Sequence, residues 1–436
     1  MSGTVLVIGA TDVGRRACAE LQTHGLNVIH LTAPTDGELH DYLTDDVTGV
    51  AVMLHNDFEA LRYSLAIEHI RPGVRLFVAI FDRTVRHEIE RVIPNCFVAS
   101  PAFIALPYVI ASILESGEAV IRTTTGEDAH WNIVELDGEI ATSEEFIPPR
   151  SWRWRTWWSR ARGQLRAYDF GSKALLNGFY SLASILLIDI IITSRHAPLS
   201  LSFYNATAVL AGVTAPTEQL EPWRLYLNGT FMLLTLVFTA IFGAGIVNHL
   251  LSGRRVGIIG RRVIPASQHF VVVGLGQVGI RLCRELSLLG IGVVGIDTSA
   301  NSRGLSLARR LNIPVIIGDG SDVRTLTRAH GKTARGILAM SSDERDNIAI
   351  AVAARSMSPD VTIMMRAGTD DAIAETQSLF SIGQTIDVNG LTATYVAAAL
   401  TSDAPLAVIP DGQNVKVVAP DLGVITTVLP GRCTCS

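Results

Sequence analysis

The stretch VLVIGATDVGRRACAELQTHGLNVIHL, Val5 to Leu31, returns as VVVGLGQVGIRLCRELSLLGIGVVGID, Val271 to Asp297. Gly9/Gly274, Val13/Val278, Gly14/Gly279, Arg16/Arg281, Cys18/Cys283, Glu20/Glu285, Leu21/Leu286 and Gly25/Gly290 pair at a constant spacing of 265 without a gap. A chain that writes the same strand, turn and helix twice holds a duplicated α/β module. Two long apolar segments lie between the copies, so the expected architecture is a pair of soluble modules around a membrane hairpin.

Apolar runs alternate with helical patterns through the first copy. Strands are expected at Val5–Ile8, Val28–Leu31, Gly49–Leu54 and Leu76–Ile80, with helices at 15–23, 58–70, 84–92 and 104–114, the pattern of a doubly wound parallel sheet. A β-like region then runs to Pro148-Pro149. The expected fold class is α/β: two Rossmann-like doubly wound parallel-sheet domains flanking an α-helical two-span transmembrane unit. The expected divisions are 1–148 (first module), 149–172 (linker), 173–254 (membrane unit), 255–400 (second module) and 401–436 (a small β-rich domain).

From Arg150 to Arg166 the chain carries six arginines, four tryptophans and no acid. Directly before an apolar run, this is the composition of a membrane-interface anchor, with rings at headgroup depth and guanidinium groups on anionic lipid. A single-stranded nucleic-acid patch or a solvated face is the other reading. Ala174–Ser194 is apolar apart from Asp189, and the 29 residues between Arg224 and Arg254 include no Asp, Glu, Lys or Arg. Spans at 174–194 and 228–251 each satisfy the ~20 residues that a hydrocarbon core requires. Basic clusters at both outer flanks place both modules on the cytosolic side of a plasma membrane. The segment between the spans is itself apolar; a re-entrant piece over 199–216 is expected, with a helix at Leu199–Leu210 and pore candidates at Ala211, Gly212, Val213 and Thr214. Asp189 lines a cation vestibule or pairs near the outer end of its span. Gly243 and Gly245 act either as a hinge or as small residues for close helix packing.

The net charge of −5 provides no basic field of the kind nucleic-acid binding uses, so nucleic acid is not an expected partner. Five cysteines at scattered positions fit a reducing cytosol, with Cys18 and Cys283 as core residues and Cys433-Thr-Cys435 as a frayed tail. The first residues enter a strand pattern directly, and no signal peptide is expected.

GLGQVG, Gly274 to Gly279, follows a strand and opens a helix. Gly274 permits the tight turn, Gly276 lets backbone approach a pyrophosphate, and Gly279 allows close helix–strand packing, so the amides of Leu275, Gln277 and Val278 face phosphate. Asp297, followed by Thr298, ends the next strand 23 residues after Gly274, where a carboxylate takes ribose hydroxyls. With no base following Asp297, NAD or an adenine nucleotide (ATP or ADP) is favoured over NADP. In the first copy Thr11 stands for the central glycine and Thr32 for the acid, so that site is expected to be degenerate. Asp343 and Glu344 are either a divalent-cation pair or a solvated loop; no metal or catalytic residue is assigned.

GLGQVG with Asp297, GDGSD (Gly318–Asp322) and AMSSDERDN (Ala339–Asn347) resembles the domain that regulates conductance of potassium, found also in Trk- and Ktr-type uptake regulators. Pro405–Pro430 is similar to the small ligand-binding domain that often follows it, and Gly3–Leu114 resembles the same regulatory domain, with HNDFEA (His55–Ala60) against SDERDN. The spans look like the pore unit of a two-transmembrane-helix potassium channel. The resemblance implies adenine near Asp319 and Gly320, phosphates on the glycine loop and ribose on Asp297. It implies a non-enzymatic, nucleotide-gated channel for monovalent cations, potassium among them, working as a homo-oligomer (a tetramer if channel-like) in contact with membrane lipid. A membrane-anchored regulatory subunit of a separate cation transporter is the alternative, and a tethered dehydrogenase a third. The chain departs from the potassium-filter pattern Thr-Val-Gly-Tyr-Gly, having only Gly212 within 211–215.

Overall fold

The computed structural model describes residues 3–81, 83–114, 119–123, 130–137, 139–164, 170–195, 198–213, 222–251, 263–299, 303–367, 383–402, 405–411, 414–421 and 423–429. The chain divides into two compact units, Met1–Thr156 together with Ser267–Ser436, and Trp157–Ala266. Both copies of the repeat therefore belong to one unit.

The first module runs β1 (Thr4–Ile8), α1 (Asp12–Thr23), β2 (Asn27–Leu31), α2 (Asp36–Tyr42), β3 (Val47–Val52), α3 (Asp57–Ile70), β4 (Arg75–Ala79), α4 (Arg83–Val92), β5 (Cys96–Ala99) and α5 (Pro101–Leu114). Its strands form a parallel sheet in the order β2-β1-β3-β4-β5. β1 is buried at every position, as a strand covered on both faces requires. An antiparallel sheet follows, β6 (Ala119–Thr123), β7 (His130–Asp137) and β8 (Ile140–Phe146), and then α6 (Arg150–Gln164).

The second unit holds α7 (Phe170–Ser194), α8 (Leu199–Leu210) and α9 (Pro222–Leu251). Leu175–Ser194 and Leu225–Val247 are long and apolar enough to cross a membrane by length and composition. The helices begin before the expected spans, at 170 and 222 rather than 174 and 228, because hydropathy marks only the apolar part of a helix and not its polar first turns. The helix expected at 199–210 is present. A Cβ on Gly178 would stand 3.0 Å from the Phe242 backbone nitrogen and one on Gly245 2.8 Å from that of Leu175, so α7 and α9 run antiparallel at close range. Ile185, Val209 and Phe231 bury a small core among the three helices.

The second module runs β9 (His269–Val273), α10 (Gln277–Leu288), β10 (Gly292–Asp297), α11 (Arg303–Arg310), β11 (Val315–Ile317), α12 (Val323–Arg328), β12 (Gly336–Ala339), α13 (Glu344–Met357), β13 (Thr362–Ala367), β14 (Gln384–Asp387) and α14 (Val388–Thr401). β15 (Ala407–Asp411), β16 (Asn414–Val418) and β17 (Val424–Val428) make a second antiparallel sheet. Val134 and Ala141 of the earlier antiparallel sheet pack with Ala407 and Val418 of this one. The parallel sheet has the order β11-β10-β9-β12-β13-β14, one strand more than the first. Equivalent residues stand 265 apart through Gly25/Gly290 but 287 apart from Met53/Met340 onward, so the second copy holds 22 additional residues there. These supply β11, α12 and the GDGSD loop.

The modules exchange helices. Ala105, Val109 and Ile110 of α5 lie in the core with Val278, Leu282 and Leu286 of the second module. Ala393, Val396 and Leu400 of α14 lie with Val13, Ala17 and Leu21 of the first. Two arginines follow the same reciprocity: the buried Arg16 ion-pairs with Asp387, the N-cap of α14, while its half-buried counterpart Arg281 donates to Ser100, which precedes α5, and to the Phe81 carbonyl.

Candidate functional site

β9 delivers the chain into Gly274 at φ +86, where a Cβ would lie 2.7 Å from the Ser341 amide nitrogen. Gly276 is the N-cap of α10 and provides no side-chain cap, and open space surrounds the position of its missing Cβ. The first-turn amides therefore face an unfilled space with the positive end of the helix dipole behind them, an arrangement that accepts phosphate. At Gly279 a Cβ would fall 1.9 Å from the Gly274 carbonyl oxygen, so only glycine lets α10 close against the loop.

Asp297 ends β10 and binds the loop itself: Oδ2 accepts from the Leu275 amide at 3.2 Å and Oδ1 from the Ser299 amide at 2.8 Å. The carboxylate is half-buried. Asp319 accepts from the Ser321 amide and hydroxyl at 2.8 and 2.7 Å, bonds that hold its carboxyl below the usual carboxylate range. Gly320 is needed for closeness, since a Cβ there would meet Val273 Cγ1 at 2.2 Å.

These residues line a cleft of about 700 Å³ at the carboxyl ends of β9, β10 and β12, the switch point where a doubly wound sheet holds ligands. Leu275, Gly276, Gln277, Val278, Asp297, Thr298, Asp319 and Gly320 are all on its wall. So are Met340, Ser341 and Asp346 of the AMSSDERDN motif, together with Arg366 and Asn389, which sequence reasoning did not single out, and Val13, His55, Phe81 and Pro101 from the first module. A polar residue near a strand end was the only signal for Arg366 and Asn389; on the first module's wall Val13 stands in the repeat and His55 in HNDFEA, while Phe81 and Pro101 had no signal. Burial pushes the Arg366 guanidinium down from its ordinary value, opposed by the charge of Asp387. Asn389 accepts from Arg366 at 3.4 Å and donates to Asp12 of the first module at 3.1 Å. Asn347, buried at the end of AMSSDERDN, accepts from the Ser341 amide and donates to the Arg366 carbonyl, bracing the cleft floor.

The corresponding place in the first module is filled from within. Thr11 caps α1, accepting from the Gly14 amide at 3.1 Å and donating to the Met53 carbonyl at 3.0 Å. Its side chain holds an amide that Gly276 leaves open. That module also lacks a counterpart of β11 and of the loop carrying Asp319, a larger difference than the exchange of Asp297 for Thr32.

Asp343 caps α13 through the Arg345 amide at 2.9 Å, and among the described residues no group of three or more His, Cys, Asp or Glu is placed to hold a metal ion. In the helical unit, Ala211 ends α8, Gly212 takes φ +69 in open space, and Val213 is exposed; Thr214 lies outside the described residues. Asp189 is 4% exposed, within the helical unit rather than at its surface. Gly243 has open space around it, whereas Gly245 abuts Leu175, the geometry of close packing.

Residues 270–383 match the TrkA-N domain. Potassium channel protein 1 of Methanocaldococcus jannaschii is 24% identical over 106 residues, covering 24% of this chain and 32% of that protein. The voltage-gated potassium channel Kch of Escherichia coli is 26% identical over 199 residues, covering 43% and 46%. The chain thus spans less than half the length of these relatives. The solved GsuK channel superposes with a TM-score of 0.50 at 12% identity over 92% of this chain and 64% of that one, a likeness of fold. Residues 270–383 of the second module thus resemble a TrkA-N domain, in a chain that resembles regulators of potassium conductance.

Proposed function

We propose that this protein is a homo-oligomeric membrane channel for monovalent cations, potassium among them, whose conductance is set by a nucleotide in the second-module cleft. The observation that carries this reading is the composition of the cleft wall: phosphate- and ribose-binding groups come from one module, while Val13, His55, Phe81 and Pro101 come from the other. A ligand there contacts both modules and favours the arrangement in which both contacts are made. The two candidate spans and the potassium-channel names of the two relatives support a role in ion transport. Two spans cannot enclose a pore, so four copies are required if the pore is channel-like. Both modules then face the cytosol at the plasma membrane.

NAD(H) is the first ligand to test, with ADP and ATP beside it; Asp297, followed by Thr298 and Ser299, disfavours a 2′-phosphate. Bound nicotinamide is a signal in this proposal and not a hydride carrier. The departure from Thr-Val-Gly-Tyr-Gly around Gly212 favours keeping a second reading, a membrane-anchored nucleotide-sensing subunit of another cation transporter. Cation flux into liposomes holding only this protein, with and without each nucleotide, separates them. Nucleotide-sensitive flux supports the channel; nucleotide binding without flux supports the subunit; turnover of nicotinamide would overturn both.

A further inference from the structure

Within the basic, tryptophan-rich segment, Arg150–Gln164 form the helix α6. Trp152 packs against Phe146 with ring centroids 5.8 Å apart, and Thr156 donates to the Gly290 carbonyl at 2.8 Å. These contacts fix one side of the helix on the folded modules. Trp154, Trp157 and Trp158 remain 59%, 59% and 50% exposed. At roughly 100° per residue they fall within an arc of about 100°. Arg155 and Arg162 border that arc on one side, and Arg153 and Arg160 on the other. Large aromatic surface in water, framed by cations with no acid on the helix, is complementary to a layer that is apolar below and anionic above.

We propose that this face of α6 is a binding surface for the anionic headgroups of the bilayer, with the three rings at headgroup depth and the flanking guanidinium groups on lipid phosphates. The occupant follows from chain continuity. Gln164 and Phe170 are six steps apart, a reach of roughly 20 Å at most, so the carboxyl end of α6 stays within that distance of the start of α7, which enters the membrane. The proposal rests on α7 and α9 spanning that membrane.

The full-length protein in nanodiscs of phosphatidylcholine with increasing phosphatidylglycerol tests it, read by quenching of tryptophan fluorescence with lipids spin-labelled near the headgroup. Wild-type quenching should rise with the anionic fraction and fall with salt. Trp154→Ser/Trp157→Ser/Trp158→Ser should lose most of the quenchable emission, while Trp152 stays to hold the helix. Arg153→Gln/Arg155→Gln/Arg162→Gln should retain quenching but lose its dependence on anionic lipid. The proposal is overturned if the tryptophan variant quenches like wild type, if the arginine variant keeps the anionic dependence, or if a single-stranded oligonucleotide and not lipid composition controls the emission. A protein that carbonate strips from liposomes would instead refute the membrane-spanning reading itself.

Discussion

Arg16 and Arg281 occupy equivalent places in the duplicated helix, and Arg16 faces a carboxylate. Its side chain is fully buried and that of Asp387 is 5% exposed, so removing the cation strands a charge in a low dielectric. Arg16→Met should destabilise the protein by about 3–5 kcal/mol, which urea unfolding measures. His269 is a second buried titratable group, with Nε2 bonded to the Ala329 carbonyl and burial pushing the imidazole down to about 4. Its folded pKa lies below the unfolded value, so the unfolded chain binds the extra proton. Stability should therefore fall as pH drops from about 6.5 towards 4, with a limiting slope of about 1.4 kcal/mol per pH unit. His269→Gln should flatten the urea midpoint over that window, and an unchanged profile would count against the buried neutral imidazole.

At the scale of elements, the α7–α9 hairpin discriminates between two readings of its glycines. Gly245→Ala brings a Cβ within 2.8 Å of the Leu175 backbone and should lower the melting temperature in detergent, whereas Gly243→Ala enters open space and should not. Equal stability with altered conductance in both variants would favour a hinge. The all-apolar strands and the glycine loop were readable because a strand buried on both faces and a phosphate-approaching turn each leave a local signature, as at β9 and Gly274–Gly279. The helix exchange was not. An apolar stretch such as Pro101–Leu114 announces burial, but nothing in its periodicity says which of two similar sheets it covers. For the same reason Arg16 reads in sequence as a surface charge on an amphipathic helix, and its partner 371 positions away is visible only in the fold.

On the scale of the whole molecule, duplication followed by divergence explains the asymmetry. One copy keeps β11, the Asp319 loop and an uncapped helix terminus; the other has Thr11 in the amide site and contributes a wall instead. The change in repeat spacing from 265 to 287 was present in the sequence, but its meaning required knowing that the additional residues build one edge of the cleft. In the proposed function, a ligand that touches both walls of this cleft couples its occupancy to the arrangement of the modules.

The most direct measurement of that coupling is potassium flux from liposomes containing this protein alone, titrated with NAD(H) in wild type and in Asp297→Asn, which keeps an oxygen for the Leu275 amide but removes the charge. Loss of a charge-assisted acceptor costs about 1.5–3 kcal/mol, so the half-effective nucleotide concentration should rise roughly 10- to 150-fold, in step with the dissociation constant from calorimetry, while Thr32→Ala leaves both unchanged. Flux that ignores nucleotide, or a response equally strong in Asp297→Asn, would contradict the account.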